Sequence, residues 1–173
     1  SNSGRRLNLG DITGKLADQR TGNGRTDRNF AQLDIRLIIT NDLMIANDHI
    51  VLATGLINFS ISSTLKSWVD HISRSGRTFA YRADGPKGLV TGKKVYLVVA
   101  SGGIYSEGPA AVMDFAVPYL KSVLAFNGMT DVEVIRVEGT GMGEDAIKAA
   151  LTKAERQIEA IGASALAGLA KAA

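Results

Sequence analysis

The sequence predicts an α/β fold built on a doubly wound, mostly parallel sheet. Three observations predict it. From about residue 49 onward, strand-like and helix-like segments alternate along the 173-residue chain, the order that lays helices against a parallel sheet. The strand-like segments are near-continuous apolar runs, Ile50-Val51-Leu52-Ala53 and Val95-Tyr96-Leu97-Val98-Val99, as expected of strands buried on both faces. The first run ends in Thr54-Gly55 and the second in Ser101-Gly102-Gly103. Such loops at the carboxyl ends of strands are where open α/β sheets hold ligands.

In chain order, Asp11-Ile12-Thr13-Gly14-Lys15-Leu16-Ala17 reads as a helix entry, with Asp11 as its N-cap. Thr21-Gly22-Asn23-Gly24 breaks that helix, and no apolar strand precedes it. Between Leu33 and Ala46, the residues Ile35, Ile38, Ile39, Leu43 and Met44 recur near helical spacing; a brief strand at Leu37 to Ile39 is the alternative. A strand follows over 49–54. A helix is expected over 62–73, started at Ser62-Ser63-Thr64 and carrying Leu65, Val69 and Ile72 on one face beside Trp68. Residues 76–91 read as a Gly-rich loop holding Phe79, Tyr81 and Pro86. Lys94 to Ala100 is the clearest strand, β-branched and nearly all apolar. A helix over 110–126 contains Pro118, which should kink or divide it. Residues 131–137 alternate apolar and charged, as an edge strand or one exposed on one side does, and a helix over 144–161 leads into an Ala/Gly-rich tail expected to fray.

The totals fit one domain over residues 1–173, with 45% hydrophobic residues and no cysteine, so neither disulfides nor thiolate metal sites are available. Two histidines, His49 and His71, are too few for a His-based metal cluster and read as structural. No apolar run approaches the roughly 20 residues of a membrane span, and the start does not read as a signal peptide. A net charge of +3, scattered along the chain, argues against a nucleic-acid face. The expectation is a soluble cytoplasmic protein.

Two glycine motifs fail inspection. Gly88-Leu-Val-Thr-Gly92-Lys93-Lys94 has three residues between its glycines instead of four and enters a strand, so it is a turn and not a phosphate loop. Gly139-Thr-Gly141-Met-Gly143 has its third glycine one position early for a dinucleotide fingerprint, and no further strand completes a βαβ unit. Ser101-Gly102-Gly103 reads either as a tight turn or as a place where glycines permit positive φ and let backbone N–H groups approach a ligand. No nucleophile–base set or carboxylate pair has suggestive spacing, which fits an enzyme whose reactive atom belongs to a cofactor.

Asn58-Phe59-Ser60-Ile61-Ser62-Ser63-Thr64-Leu65-Lys66, Arg74-Ser75-Gly76-Arg77-Thr78-Phe79 and Gly85-Pro86-Lys87-Gly88-Leu89-Val90-Thr91-Gly92, then Ser101-Gly102-Gly103-Ile104-Tyr105, Pro118-Tyr119-Leu120 and Phe126-Asn127-Gly128-Met129-Thr130-Asp131, together resemble the FMN-dependent NADH-azoreductases over about residues 47–160. The resemblance implies a flavodoxin-like, three-layer α/β/α fold and a homodimer. It also implies bound FMN, NADH or NADPH as donor, and two-electron ping-pong reduction of quinones and azo compounds. Carried over by position, Leu56, Ile57, Asn58 and Phe59 border the flavin ring on one side, and Ala100, Ser101, Gly102 and Gly103 on the other. Amides of Gly102 and Gly103 would stabilise negative charge on the ring, and the Phe79–Tyr81 segment would cover it. Ser3 and the helix opening at Asp11, Ile12 and Thr13 would take the phosphate.

Three departures qualify the match. Gly55-Leu56-Ile57 stands where the family has Pro-Met-Tyr or Pro-Met-Trp, Asp11 replaces a serine, and the fold's first strand is missing from the given chain. Two alternatives therefore stand beside the reductase: a flavodoxin-type electron carrier, which the pI of about 9.3 disfavours, and a non-catalytic dimer that has lost FMN.

Overall fold

Strands β1 (His49–Gly55), β4 (Lys94–Ala100) and β5 (Asp131–Val137) form a parallel sheet in the order β1-β4-β5. Between them come α1 (Ser63–Ile72), a hairpin of β2 (Phe79–Arg82) and β3 (Gly85–Gly88), a short 3₁₀ turn at Pro109–Met113, and α2 (Ala116–Phe126); α3 (Glu144–Ala172) follows β5. This computed structural model describes residues 42–172. The expectations at Ser3, Asp11, Ile12 and Thr13, most of the 33–46 segment, and the missing first strand lie outside the described residues; 42–46 are helical.

Side-chain alternation assigns the layers. Val95, Leu97 and Val99 of β4 are buried against Val69 and Ile72 of α1 and Val117, Leu120 and Leu124 of α2, with Ile50, Leu52, Val132 and Val134 from the flanking strands packed onto the same cluster. Ile135, which the period of two turns to the opposite face, is buried outside this cluster, as is Ala154 of α3; Gln157 of α3 also donates to the Val134 carbonyl at 3.1 Å. Helices therefore cover both faces of β5.

The register carries the functional consequence. His49 pairs with Lys94 and Gly55 with Ala100, while Lys94 pairs with Asp131 and Ala100 with Val137. All three strands start and stop level, so the loops after Gly55, Ala100 and Val137 leave the sheet side by side.

Three sequence expectations need correction. Residues 76–91 are not simply a loop: Phe79–Arg82 and Gly85–Gly88 pair as an antiparallel hairpin. Glycine and proline made the segment read as a loop, yet a two-stranded ribbon has only edges, where proline is tolerated. Pro118 does not break a helix at its own position. The break lies upstream, between the 3₁₀ turn and Ala116, and Pro118 sits in the first turn of α2, where no intrahelical N–H bond is lost. Finally, α3 does not end near residue 161 but continues to Ala172, because an alanine-rich stretch has the best intrinsic helix propensity.

Phe79 packs on Phe126 with ring centroids 4.5 Å apart, and Val90 N–H donates to the Asn127 carbonyl at 2.9 Å. The hairpin base is thereby fixed to the carboxyl end of α2, beside the amino ends of the strands. No hydrogen bond or ring contact among the described residues joins it to the loops at the other end, so Phe79 and Tyr81 do not cover those loops within this chain.

Candidate functional site

Pairing runs one residue past the strands: Leu56 N–H donates to Ala100 O at 2.8 Å, and Ser101 N–H to Val137 O at 3.0 Å. Beyond Leu56 the chain reverses sharply. Ile57 and Ser60 exchange backbone hydrogen bonds of 2.8 and 3.0 Å, and the two residues between them are left-handed, Asn58 at φ 47° and Phe59 at φ 69°. Positive φ at both central positions is the type I′ turn. Asparagine tolerates it, whereas a Cβ-bearing aromatic residue costs roughly 1–2 kcal/mol there. The turn is held from outside, by Phe115 N–H donating to Phe59 O at 3.0 Å and by an edge-on contact of the Phe59 and Tyr105 rings, 6.1 Å between centroids. It exposes Ile57 and Phe59 and leaves the Asn58 and Phe59 amides without an acceptor among the described residues.

The loop after β4 faces the loop after β5. The Ser101 carbonyl accepts from Thr140 N–H at 3.1 Å and Thr140 Oγ1 at 3.0 Å, the Gly102 carbonyl from Gly141 N–H at 3.0 Å, and the Gly103 carbonyl from Gly139 N–H at 3.1 Å and Ser101 Oγ at 2.8 Å. With their carbonyls turned this way, the Gly102 and Gly103 amides have no acceptor among the described residues. Neither glycine uses the positive φ its residue type permits; what is used is close approach, since a Cβ at Gly141 would stand 3.2 Å from Gly102 O. The Gly139–Gly143 segment, which leads into the start of α3 at Glu144, is also the backing that orients Ser101, Gly102 and Gly103.

A charged network missed by the sequence reading lies behind both loops. Arg136 donates to Asp114 Oδ2 at 2.6 Å and to Glu138 Oε1 at 3.3 Å. Asp114 Oδ1 accepts from Ala116 and Val117 N–H, both at 3.0 Å, opening α2, and Glu138 accepts from Tyr105 N–H at 2.8 Å and from the Ser106 hydroxyl. Glu138 is two residues from Arg136, whereas Asp114 is 22 residues away, and only the fold brings it to the guanidinium.

The structure thus brings Leu56, Ile57, Asn58, Phe59, Ala100, Ser101, Gly102 and Gly103 to one end of the sheet. Two sets of outward amides stand beside exposed apolar side chains of Ile57, Phe59 and Ile104, an arrangement suited to a flat heteroaromatic ring with acceptor atoms along its edges. Among the described residues no His, Asp and Glu group is arranged to hold a metal ion, and no helix is long and apolar enough to cross a membrane. A cavity of about 320 Å³ at the opposite end is lined by Asp48, His49, Lys93, Lys94 and Asp131. Its ammonium groups are already engaged, Lys93 with the Ile45 carbonyl and Lys94 with Asp131 and Glu133.

A family described as having the flavodoxin-like fold matches residues 5–161. The FMN-dependent NADH:quinone oxidoreductase of Mesorhizobium japonicum is 58% identical over 159 residues, 89% of this chain and 75% of that protein. Its namesake from Agrobacterium fabrum is 50% identical over 151 residues, 87% and 71% of the two chains. Among solved structures, the azoreductase AzrA superposes with a TM-score of 0.67 at 30% identity, over 90% of this chain and 76% of that one. An FMN-dependent NADH-azoreductase from Bacillus anthracis in complex with FMN superposes with a TM-score of 0.69 at 22% identity, over 92% and 77%, a likeness of fold.

Proposed function

The chain belongs to the family with the flavodoxin-like fold that matches residues 5–161, and from that premise we propose that it is an FMN-dependent NADH:quinone oxidoreductase. The observation that carries the reading is the pair of loops at the carboxyl ends of β1 and β4, whose outward amides at Asn58, Phe59, Gly102 and Gly103 are without acceptors among the described residues. Gly102 gives the fit test: the atom nearest to an added Cβ is Gly141 N at 3.9 Å, so the chain leaves that side open to a ligand.

FMN, when bound, would supply two-electron redox chemistry between NADH or NADPH and a quinone or an azo compound, by the ping-pong route that the family resemblance implies. The protein's part is to bind, orient and stabilise. Leu56, Ile57, Asn58 and Phe59 hold one side of the ring, and Ala100, Ser101, Gly102 and Gly103 the other. Preorganised amides at Gly102 and Gly103 stabilise negative charge there without reorganising. Ser3, Asp11, Ile12 and Thr13, which lie outside the described residues, are the candidates that the resemblance assigns to the phosphate. The same reading makes residues 1–173 one FMN-binding domain of a cytoplasmic homodimer that acts on small molecules.

The test is a visible absorbance spectrum of the purified protein with FMN, before and after anaerobic NADH and then a quinone. Flavin bands that bleach with NADH and return with the quinone are expected. Gly102→Val, which has room within the chain, should lose FMN while melting like the parent. A parent protein that stays colourless with added FMN, or a Gly102→Val protein that retains FMN fully, overturns the assignment; a colourless, well-folded dimer would return the reading to a scaffold.

A further inference from the structure

The Asp114–Arg136–Glu138 network has a connectivity that stability does not explain. The side chains are 6%, 21% and 11% exposed, so three charges are largely withdrawn from water. Breaking even is the usual result for such groups, and packed apolar side chains of similar volume serve stability as well or better. The two carboxylates, however, hold different pieces of the site. Glu138 fixes the Tyr105 amide and the Ser106 hydroxyl on the loop after β4. Asp114 fixes the Ala116 and Val117 amides, next to Phe115, whose own N–H is shared between the carbonyl of strained Phe59 at 3.0 Å and that of Met113 at 3.1 Å. Arg136 is the only member that touches both.

We propose that Arg136 is a positioning residue that sets the spacing between the Asn58–Phe59 turn and the Ser101–Ser106 loop; its consequence for flavin affinity rests on the function proposed above. One nitrogen of its planar fork takes each carboxylate, an arrangement a single ammonium does not reproduce. Without the guanidinium, two carboxylates of like charge face each other with poor access to water, and each draws away the segment it holds.

Amide hydrogen exchange on the ligand-free protein tests the spacing directly. Arg136→Leu should speed exchange at both the Tyr105 and Phe115 amides by roughly tenfold or more, with the amides of Val95, Leu97 and Val99 unchanged, as a local opening requires. Glu138→Gln should free Tyr105 alone and Asp114→Asn Phe115 alone, while Arg136→Lys should restore at most one of the two. These milder variants decide the question even if Arg136→Leu does not fold. Unchanged exchange at both amides, equal acceleration of the β4 amides, full rescue by lysine, or a single carboxamide variant that frees both amides overturns the proposal. A rise of about tenfold in the FMN dissociation constant of Arg136→Leu is the second readout, equivalent to about 1.4 kcal/mol. A parent protein that binds no FMN would remove the function proposed above, while the exchange results would still decide the role of Arg136.

Discussion

Asn58 and Phe59 occupy left-handed backbone, at φ 47° and 69°, in a chain that spends glycine freely elsewhere. Strain of this kind persists only where the surroundings over-determine it, and here the Ile57–Ser60 bonds, the Phe115 amide and the Tyr105 ring all do so. That a loop stands here was legible from where the apolar run ends. Its geometry was not, because neither residue type announces positive φ as glycine does. Substitution separates side chain from backbone. Asn58→Gly should leave stability within about 0.5 kcal/mol, since glycine adopts this φ without steric cost. Asn58→Val should cost roughly 1–2 kcal/mol, because a β-branched residue is an outlier there. Thermal melts of the two variants against the parent check it, and equal melting points would mean the turn does not hold this conformation in solution.

At the scale of elements, the strands that were legible are those whose burial forces a pattern. β4 reads as an apolar run and β5 as an alternation because a packed sheet face dictates which residues can stand there; β1 reads as an apolar run too, with Ile50 and Leu52 packed on the core and Val51 66% exposed. The β2–β3 hairpin has no such constraint over most of its length, and Gly85, Pro86 and Gly88 suppress every strand signal. What those residues serve became visible only in three dimensions. A Cβ on Gly88 would lie 2.2 Å from Gly128 N and 2.6 Å from Asn127 C, so the hairpin and the end of α2 meet backbone to backbone. Gly88→Ala should therefore destabilise the protein by about 1–3 kcal/mol, the usual cost of overpacking, and the clash with backbone instead of a flexible side chain places it at the upper end. Gly102→Ala, whose added Cβ meets nothing nearer than 3.9 Å, is the matched control. Urea unfolding of both reads the difference, and a Gly88→Ala protein as stable as the control would show that hairpin and helix can separate freely.

For the molecule as a whole, the fold class followed from the order of elements, and the positions of the loops after β1 and β4 followed from where apolar runs end. Neither the Asp114–Arg136–Glu138 network nor the level strand ends could be read along the chain, because they are properties of register. The phosphate half of the proposed site, Ser3 with Asp11, Ile12 and Thr13, rests on resemblance alone. Ligand linkage can weigh the two halves against each other. A ligand that binds only the folded protein adds about 2.7 kcal/mol at a hundredfold excess over its dissociation constant, which for a chain of this size raises the melting point by roughly 5–10 °C. FMN should give a shift of that order and removal of FMN should reverse it. Riboflavin, which carries the same ring without the phosphate, should give a smaller shift at equal concentration, because a bound phosphate dianion adds charge-assisted hydrogen bonds. Equal shifts for the two ligands would remove Ser3, Asp11, Ile12 and Thr13 from the site while leaving the ring loops in place. No shift with either would remove the ring loops as well, and the outward amides of Gly102 and Gly103 would need another ligand.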